Sequence, residues 1–311
     1  MKKLLLLGAL LLLSALLYLA VFSLVHRPLV VGETQRQLDF KLSYARQLPS
    51  PKVVIFAGSN GRYSHRCEDF SRALGRPCAN MSIAVGLGLD FLLEQVASVL
   101  NQGDLVYMPL EFAQYRFSDV EMHSGIHNAF LVHYQKPYLR TQSVSDIVAA
   151  YASFDLPFLI DGTVEMGLST RGFRRRVSTD SLTAQGDEQG HTAEAGSSYR
   201  EYLRTAVPDP TTVPESSHAR DVLTGFLRNM RSRGVTVVGG LPTLPATTAA
   251  IESADLTRLR ALYEGQGQRW LALPNLSRYP PSCFYDALYH LHEGCQREHS
   301  RAVADALAAA R

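Results

Sequence analysis

A serine that directly follows a short apolar run is the first candidate for chemistry in this 311-residue chain. The run 52–57 is rich in β-branched residues and stops at Gly58, which predicts a buried strand followed by a turn. Ser59 at this junction would present its hydroxyl at the carboxyl edge of a sheet, where the following backbone N–H groups can face an oxyanion. Gly58-Ser59-Asn60 also suits an ordinary turn or a helix cap.

A second group, near the other end of the chain, supplies the partners that a reactive serine needs. Asp286 and His290 are four residues apart, so they share one face if the segment between them is helical. A histidine can take the serine proton, and a carboxylate fixes the tautomer of that histidine and stabilises the imidazolium. His292 competes with His290, but only one of them can face Asp286, and the spacing favours His290.

Elements that alternate along the chain would bring these distant residues together. Short apolar runs predict strands over 52–57, 79–84, 104–109, 235–239 and 270–273. Helical periodicity predicts helices over 69–74, 90–100, 144–154, 220–231, 256–263 and 298–310. Most of the strands alternate with helices, which predicts a parallel sheet covered on both faces, with the site at the carboxyl ends of the strands.

This pattern of motifs resembles the SGNH (GDSL-type) hydrolase superfamily. The resemblance rests on a serine in a Gly-Ser-Asn turn after the first strand and an aspartate and a histidine just before the last helix. It implies an α/β three-layer sandwich of flavodoxin-like type with a mostly parallel five-stranded sheet. It covers about residues 50–115 and 220–311, and is closest to membrane-anchored members similar to the D-alanyl transfer proteins of teichoic acids and the acetylation proteins of exopolysaccharides.

The resemblance assigns a role to each residue of this group. It implies that Ser59 is the nucleophile, His290 the base and Asp286 the residue that orients the base. Ser82 stands where the family has an oxyanion glycine, and its backbone N–H can still serve. Glu111 stands where the family has an oxyanion asparagine, and an ionised glutamate cannot donate a hydrogen bond. The interval between the aspartate and the histidine is also one residue longer than the commonest family form.

Two questions about the oxyanion site stay open at this point. Asn60 and Asn80 are the candidates that would replace the missing asparagine donor. Glu111 is either a buried structural carboxylate that hydrogen-bonds the turn in the 80s or a residue that contacts substrate.

The N-terminus predicts a membrane anchor. Lys2 and Lys3 precede an apolar run from Leu4 to Val25, which is long enough to cross a bilayer and lacks a good cleavage site. The positive charges predict a cytoplasmic N-terminus and place the body of the protein outside the inner membrane, in the periplasm or its equivalent. A long cleaved signal peptide is the alternative. The expected domains are a signal anchor at 1–27, a juxtamembrane connector at 28–50, and an α/β domain at 51–311 with an insertion at about 116–219.

The four cysteines fit a compartment outside the cytoplasm, because an even count there favours disulfides. Four cysteines allow three pairings. We expect Cys67–Cys78 and Cys283–Cys295, each of which closes a loop beside a candidate catalytic residue, whereas four buried free thiols are the alternative. No metal-ligand spacing accompanies the histidines, and no metal is expected.

Two polar segments of the insertion invite a functional reading and a simpler one. Residues 178–198 read as a long loop, and its stretch 186–191 is either a lip over substrate or metal or, more commonly, a solvated loop. The second segment, 171–176, contains four arginines, which would either lie on a solvated face or bind an anionic polymer or a lipid headgroup. These arginines are Arg171, Arg174, Arg175 and Arg176.

The expected function is a serine esterase or acyltransferase that acts on acyl groups of a cell-envelope polysaccharide or related polymer. The alternative is a non-catalytic assembly or scaffold protein that partners a membrane acyltransferase or export protein. A peptidase or lipase is less well supported, because the sequence has no Gly-x-Ser-x-Gly elbow at a suitable serine. No cofactor is expected, since Gly86-Leu-Gly88 lacks the third glycine of a dinucleotide fingerprint. The net charge of +2 gives no reason to expect nucleic acid as a partner.

Overall fold

The computed structural model describes residues 2–118, 125–152, 156–170 and 178–310. The chain forms two compact units. One comprises Met1–Arg36 and His123–Ser178, and the other comprises Gln37–Met122 and Thr179–Arg311. The arginine cluster at 171–176 lies outside the described residues.

The smaller unit is helical. It begins with helix α1 (Lys2–Ala20), which continues as a π-helical turn over Val21–Val25. The stretch Lys2–Leu24 is long and apolar enough to cross a membrane, and no residue of α1 is buried. Among the described residues, five further helices lie wholly or partly in this unit, and the first of them, α2, extends beyond it. They are α2 (Leu29–Gln47), α6 (Gly125–Tyr134), α7 (Lys136–Leu139), α8 (Val144–Ala152) and α9 (Leu156–Ser169).

The larger unit is built on a five-stranded parallel sheet, which confirms the predicted α/β fold. The strands are β1 (Val53–Ile55), β2 (Cys78–Asn80), β3 (Leu105–Met108), β4 (Thr236–Gly239) and β6 (Arg269–Trp270). Their order is β2-β1-β3-β4-β6, with Val54 paired to Ala79 on one side and to Val106 on the other. Strands β1, β2 and β3 are wholly buried, as expected for a sheet that is covered on both faces.

Helices cover both faces of this sheet. They are α3 (Ser59–Ser64), α4 (Cys67–Leu74), α5 (Leu89–Ala97), α11 (His218–Ser232), α12 (Ser253–Glu264) and α13 (Glu293–Ala309). The short helix α10 (Arg200–Thr205) packs through Leu203 against a separate cluster that includes Cys283 and Phe284. Alternate side chains such as Val53 and Leu105 pack with Phe70 of α4 and Val303 of α13. The neighbouring residues of each strand point to the opposite face, where α5 packs against α11 and where α11 and α12 both contact β4.

Several predicted boundaries differ from the structure. The second strand covers Cys78–Asn80 rather than 79–84, because the chain leaves the sheet after Asn80. The fifth strand covers Arg269–Trp270 rather than 270–273, and the last helix begins at Glu293 rather than 298. A separate parallel pair was not predicted: β5 (Leu244–Pro245) and β7 (Arg278–Tyr279).

Candidate active site

Ser59 is the first residue of helix α3, which starts four residues after strand β1 ends. Gly58 precedes it in an extended conformation (φ −67°, ψ −156°). A Cβ atom at position 58 would lie 2.5 Å from Glu111 Oε1 and 2.5 Å from a methyl group of Val85. Only glycine fits between these groups, so the close packing under the turn explains why glycine precedes the serine.

Asp286 and His290 lie on a turn, not on the helix that their spacing suggested. Residues 285–290 form a tight loop closed by an antiparallel bridge between Phe284 and Leu291. The Tyr285 N–H donates to His290 O over 2.8 Å, and the His290 N–H donates to Ala287 O over 3.1 Å. We name residues 283–292 the catalytic loop after the role that we propose for Asp286 and His290. The loop presents both side chains on the same side although its backbone is not helical.

The structure joins the three predicted residues in one hydrogen-bonded chain. His290 Nδ1 lies 2.6 Å from Asp286 Oδ1, and His290 Nε2 lies 2.8 Å from Ser59 Oγ. An ionised carboxylate can only accept, so Nδ1 carries the proton and Nε2 accepts the serine O–H. The side chains of His290 and Asp286 are 12% and 26% exposed, so the group is shielded but open to a substrate.

Tyr63, which the sequence did not single out, is stacked on the histidine. Its ring centroid lies 4.1 Å from that of His290, with only 10° between the two planes. The Arg62 guanidinium lies 4.8 Å from the Tyr63 ring centroid. Tyr63 and Ser59 are on the same short helix, so one element supplies both the hydroxyl and the surface on which the imidazole rests.

Ser64, at the end of the same helix, ties α3 to the catalytic loop. Its hydroxyl donates to Tyr289 O over 2.9 Å and accepts from the Leu291 N–H over 3.3 Å. The Thr243 hydroxyl also donates to Tyr289 O, over 2.7 Å. These bonds bracket His290 on both sides, so the distance between Ser59 and His290 is set by buried hydroxyl groups.

Glu111 is buried directly behind the serine turn. Its Oε1 accepts from the Asn60 N–H over 3.2 Å, so it contacts the turn at 59–60. Its side chain and that of Gln114 form a reciprocal capping box at the start of the short helix Phe112–Tyr115. Burial raises the pKa of Glu111 to about 7, although the bond from Asn60 opposes this shift.

The other candidate oxyanion donors already have acceptors. Asn60 Nδ2 donates to Pro109 O over 2.9 Å. Asn80 Nδ2 donates to Gly61 O and to Asp187 Oδ1, both over 2.9 Å. The Ser82 N–H donates to Asn80 Oδ1 over 3.1 Å. In this structure, therefore, the groups at 60, 80 and 82 brace the turn, whereas the Ser59 N–H has no acceptor within the described part of the chain.

A buried ionic cluster, which sequence reasoning missed, lies behind α3. Of the two interpretations of the segment 186–191, a solvated loop was the more common kind, but Asp187 and Glu188 are buried, with exposed fractions of 3% and 7%. Arg62 Nε pairs with Glu188 Oε2 at 3.0 Å. Lys41 Nζ donates to Asn80 O over 2.9 Å and also to Gly186 O.

The carboxylate of Asp187 is held by several donors. Besides Asn80, the Cys67 N–H donates to it over 3.0 Å, and Thr183 contacts it at 3.3 Å. Burial lowers the pKa of Lys41 and raises that of Asp187, while their opposite charges resist both shifts. The acidic pair Asp187-Glu188 between two glycines was a weak signal for this cluster in the sequence, since its basic partners are more than 100 residues away.

His191 completes the aromatic surround of the site. It is 2% exposed, and its ring packs edge-on against Tyr63 at 5.3 Å and against Tyr285 at 5.8 Å. Burial lowers the pKa of His191 to about 4, so this ring is neutral near pH 7. It therefore adds shape and low polarity next to His290 without adding charge.

Both expected disulfides are present. Cys67–Cys78 joins the start of α4 to β2, and Cys283–Cys295 joins the catalytic loop to α13. His292 does not compete with His290. Its Nδ1 caps α13 by accepting from the Gly294 N–H over 3.1 Å, and its Nε2 lies 3.5 Å from Cys295 Sγ. Because the two cysteines near His292 are bonded to each other, they are not available as thiolate ligands for a metal.

A cavity of about 660 Å³ adjoins the catalytic loop. Phe284 and Leu288 of the loop line it, together with Pro245 and the arginines Arg200 and Arg204 of α10. Its size matches pockets that hold small organic ligands, and it combines apolar walls with positive charge.

Comparisons with known proteins give little beyond these observations. No protein-family model matches the sequence, and no curated protein matches it. Among solved structures, the chain is similar to the crystal structure of protein YxiM from Bacillus subtilis, with a TM-score of 0.42 and 10% sequence identity. The match covers 84% of this chain and 56% of that chain, so it spans a little over half of that protein.

Proposed function

We propose that this protein is a serine esterase or O-acyltransferase that acts on acyl groups of a cell-envelope polysaccharide or related polymer. The observation that carries the proposal is the continuous chain from Ser59 Oγ through His290 to Asp286, at 2.8 and 2.6 Å. These distances are within the range in which a base can take a proton from a nucleophile while a carboxylate orients it.

The reaction would proceed in two balanced halves. Ser59 Oγ attacks the ester carbonyl carbon while its proton passes to His290 Nε2, and the imidazolium is stabilised by Asp286. The imidazolium then returns the proton to the departing alcohol oxygen, which leaves an acyl-serine. In the second half, water or a sugar hydroxyl attacks the acyl carbon while its proton passes to His290 Nε2. The bond between the acyl group and Ser59 Oγ then breaks, and the imidazolium returns the proton to Ser59 Oγ. The first acceptor gives hydrolysis and the second gives transfer.

We place this chemistry outside the cytoplasm, on a single-pass protein of the inner membrane. The proposal is supported by the apolar helix at Lys2–Leu24, the lysines before it, and the two disulfides, which are typical of an oxidising compartment. In this location the site at Ser59 would be close to polymers as they leave the membrane. The cavity beside Arg200 suits a polymer unit that carries an acidic group, whereas Arg204, which also lines it, is paired with Glu201.

A second candidate is a non-catalytic scaffold for a membrane acyltransferase or export protein. The occupied donors favour it, because Asn60, Asn80 and Ser82 already bond within the protein. The Ser59 N–H alone is a sparse oxyanion site.

The two candidates separate in one experiment on the full-length protein. Purified protein is assayed with nitrophenyl acetate and labelled with a fluorophosphonate, beside Ser59→Ala, His290→Ala and the matched serine variant Ser98→Ala on an exposed turn. The enzyme proposal expects Ser59→Ala and His290→Ala to lose at least about a thousandfold in kcat/KM together with the label at Ser59, and Ser98→Ala to keep both. Native protein that neither hydrolyses the ester nor labels supports the scaffold instead.

A further inference from the structure

Helix α9 of the smaller unit exposes a stripe of large aliphatic side chains. Ile160 and Val164 are 53% and 54% exposed, and Leu168 is 39% exposed. The three are spaced four residues apart, so they lie along one face of the helix. Exposed apolar stripes of this kind mark interaction surfaces in proteins.

The opposite face of α9 is tightly packed. A Cβ atom at Gly162 would lie 2.3 Å from His26 Nε2 and 2.8 Å from Pro28, so the helix meets this segment at the closest possible approach. Met166, one turn further on, accepts a hydrogen bond from the Arg27 N–H over 3.0 Å. The stripe therefore faces outward on a helix that is fixed to the residues immediately after the apolar helix Lys2–Leu24.

Helix α8 repeats the pattern beside the apolar helix itself. Val144 and Val148 are 78% and 60% exposed and are also four residues apart. A groove of about 560 Å³ separates α8 from the apolar helix, lined by Ile147 and Val148 on one side and by Ala15 and Leu19 on the other.

The position of this groove along the apolar helix indicates the depth at which α8 would lie in a membrane. Ala15 is nine residues before Leu24, where the apolar segment ends, which at 1.5 Å per residue is about 14 Å. One leaflet of the hydrocarbon core is about 15 Å thick. If Lys2–Leu24 crosses the membrane, α8 thus lies at the depth of the leaflet next to the carboxyl end of that helix.

We propose that α8 and α9 are immersed in this leaflet, with their exposed aliphatic faces and the groove covered by lipid hydrocarbon chains. Lipid is the occupant that the surroundings favour, because the groove opens beside the exposed leucines of α1, which would themselves face lipid in a membrane-spanning helix. The inference extends the proposed anchor from one helix to a helical unit and does not depend on catalysis at Ser59.

Fluorescence quenching by bromine-labelled lipids tests the proposal on the full-length protein in phosphatidylcholine vesicles. Val148→Trp and Val164→Trp place a reporter on each face, and Trp270, the single native tryptophan, provides the baseline. Leu12→Trp reports on the span, and Thr163→Trp is the matched control, since this exposed polar position lies about 100° around α9 from Val164. We expect bromines on the acyl chains to quench the two valine variants as strongly as Leu12→Trp, and about twofold more than Thr163→Trp.

Each other outcome overturns the proposal in a distinct way. If Leu12→Trp is quenched by bromolipid while the valine variants respond only to aqueous acrylamide, the helix spans the membrane but α8 and α9 lie outside it. If the valine variants are shielded from both quenchers until excess lipid dilutes the protein, a second copy covers these faces. If Leu12→Trp itself is not quenched, the span fails and the immersion of α8 and α9 fails with it, whereas fluorophosphonate labelling of Ser59 is unaffected.

Discussion

At the scale of single residues, the site depends on how each side chain constrains its neighbour. The Asp286 carboxylate forces the proton onto His290 Nδ1, which leaves Nε2 free to accept from Ser59. Tyr63 restricts the remaining freedom of the imidazole, which is rotation out of its plane, because the two rings are stacked. The Ser59 O–H is therefore aligned to donate a hydrogen bond to His290 Nε2.

Replacement of Tyr63 separates this positioning role from simple packing. In Tyr63→Leu the imidazolium loses an aromatic face that stabilises positive charge by about 1 kcal/mol. We expect kcat/KM to fall about fivefold in Tyr63→Leu with KM unchanged, while Tyr63→Phe keeps the native rate. An equal loss of rate in both variants would contradict the positioning role.

Glu111 predicts a pH dependence of stability. Its folded-state pKa of about 7 lies above the usual 4.5, so the folded state holds this proton more tightly than the unfolded chain does. The resulting stability is complete below pH 4.5 and is lost as pH rises through 7, for a total of about 3 kcal/mol. We expect Glu111→Gln to remove this loss, because the amide keeps an acceptor for the Asn60 N–H without a charge.

Urea unfolding of the full-length protein from pH 5 to pH 8.5 measures this difference. Glu215→Gln is the control, because that side chain is 88% exposed. The free energy of unfolding of Glu111→Gln should gain on that of the native protein between pH 5 and pH 7, the difference should level off above pH 7, and the control should follow the native curve. Parallel curves for Glu111→Gln and the native protein would show that Glu111 does not titrate in this interval.

The residues of the site differ in how readily a sequence reveals them. Ser59, Asp286 and His290 could be predicted, because their chemistry and their places after a strand and before a helix are visible in the chain. Tyr63 could not, since an aromatic residue four positions after the serine has no local signature of a stacking role. The burial of Asp187 depends on Lys41 and Asn80, which are distant in sequence, so its polar surroundings suggested solvent instead.

At the scale of elements, the two disulfides can be compared directly, because they close loops of similar length in different parts of the structure. They close loops of nearly equal length, with separations of 11 and 12 residues, so the chain-entropy model gives each about 3 kcal/mol. Only Cys283–Cys295 encloses Asp286 and His290. Cys67–Cys78 braces α4 against β2 instead.

This difference predicts equal losses of stability and unequal losses of activity. We expect the double variants Cys67→Ser/Cys78→Ser and Cys283→Ser/Cys295→Ser to lose similar free energies of unfolding. The second should also label with fluorophosphonate about tenfold more slowly below its unfolding transition, because its catalytic loop is less restrained. Equal labelling rates in both variants would mean that the hydrogen bonds from Ser64 and Thr243 hold the loop without the disulfide.

The elements themselves were predictable where a local pattern decides them. Short runs of apolar residues located β1, β3 and β4, which are almost wholly buried. The apolar run 79–84 suggested a longer second strand, but the Asn80 N–H donates to Gln185 O and the chain then turns under Ser59. Tertiary hydrogen bonds ended this strand, and no local pattern could reveal them.

At the scale of the whole molecule, the larger unit folds around several buried groups that must be neutral. His65 and His299 are fully buried, with 3.2 Å between their Nε2 atoms, and His191 is nearly so. Burial lowers the pKa of His65 to about 3 and that of His191 to about 4, and lowers that of His299 as well. In the unfolded chain the same groups would titrate near 6.5.

The sign of this linkage predicts acid sensitivity of the whole fold. A depressed folded-state pKa contributes stability that is present above pH 6.5 and is lost as pH falls toward the folded pKa, at up to about 1.4 kcal/mol per pH unit for each histidine. Glu111 acts in the opposite direction over part of this interval, but three histidines outweigh one carboxyl. Urea unfolding of the full-length protein, followed by Trp270 fluorescence, should therefore show stability falling steeply from pH 6.5 to pH 4.5. His191→Gln should reduce the slope of unfolding free energy against pH by about 1.4 kcal/mol per pH unit, which corresponds to one proton. The control His218→Gln, at an exposed position, should leave this slope unchanged. An unaltered slope in His191→Gln would mean that the aromatic side chains around the site already accommodate a charged histidine.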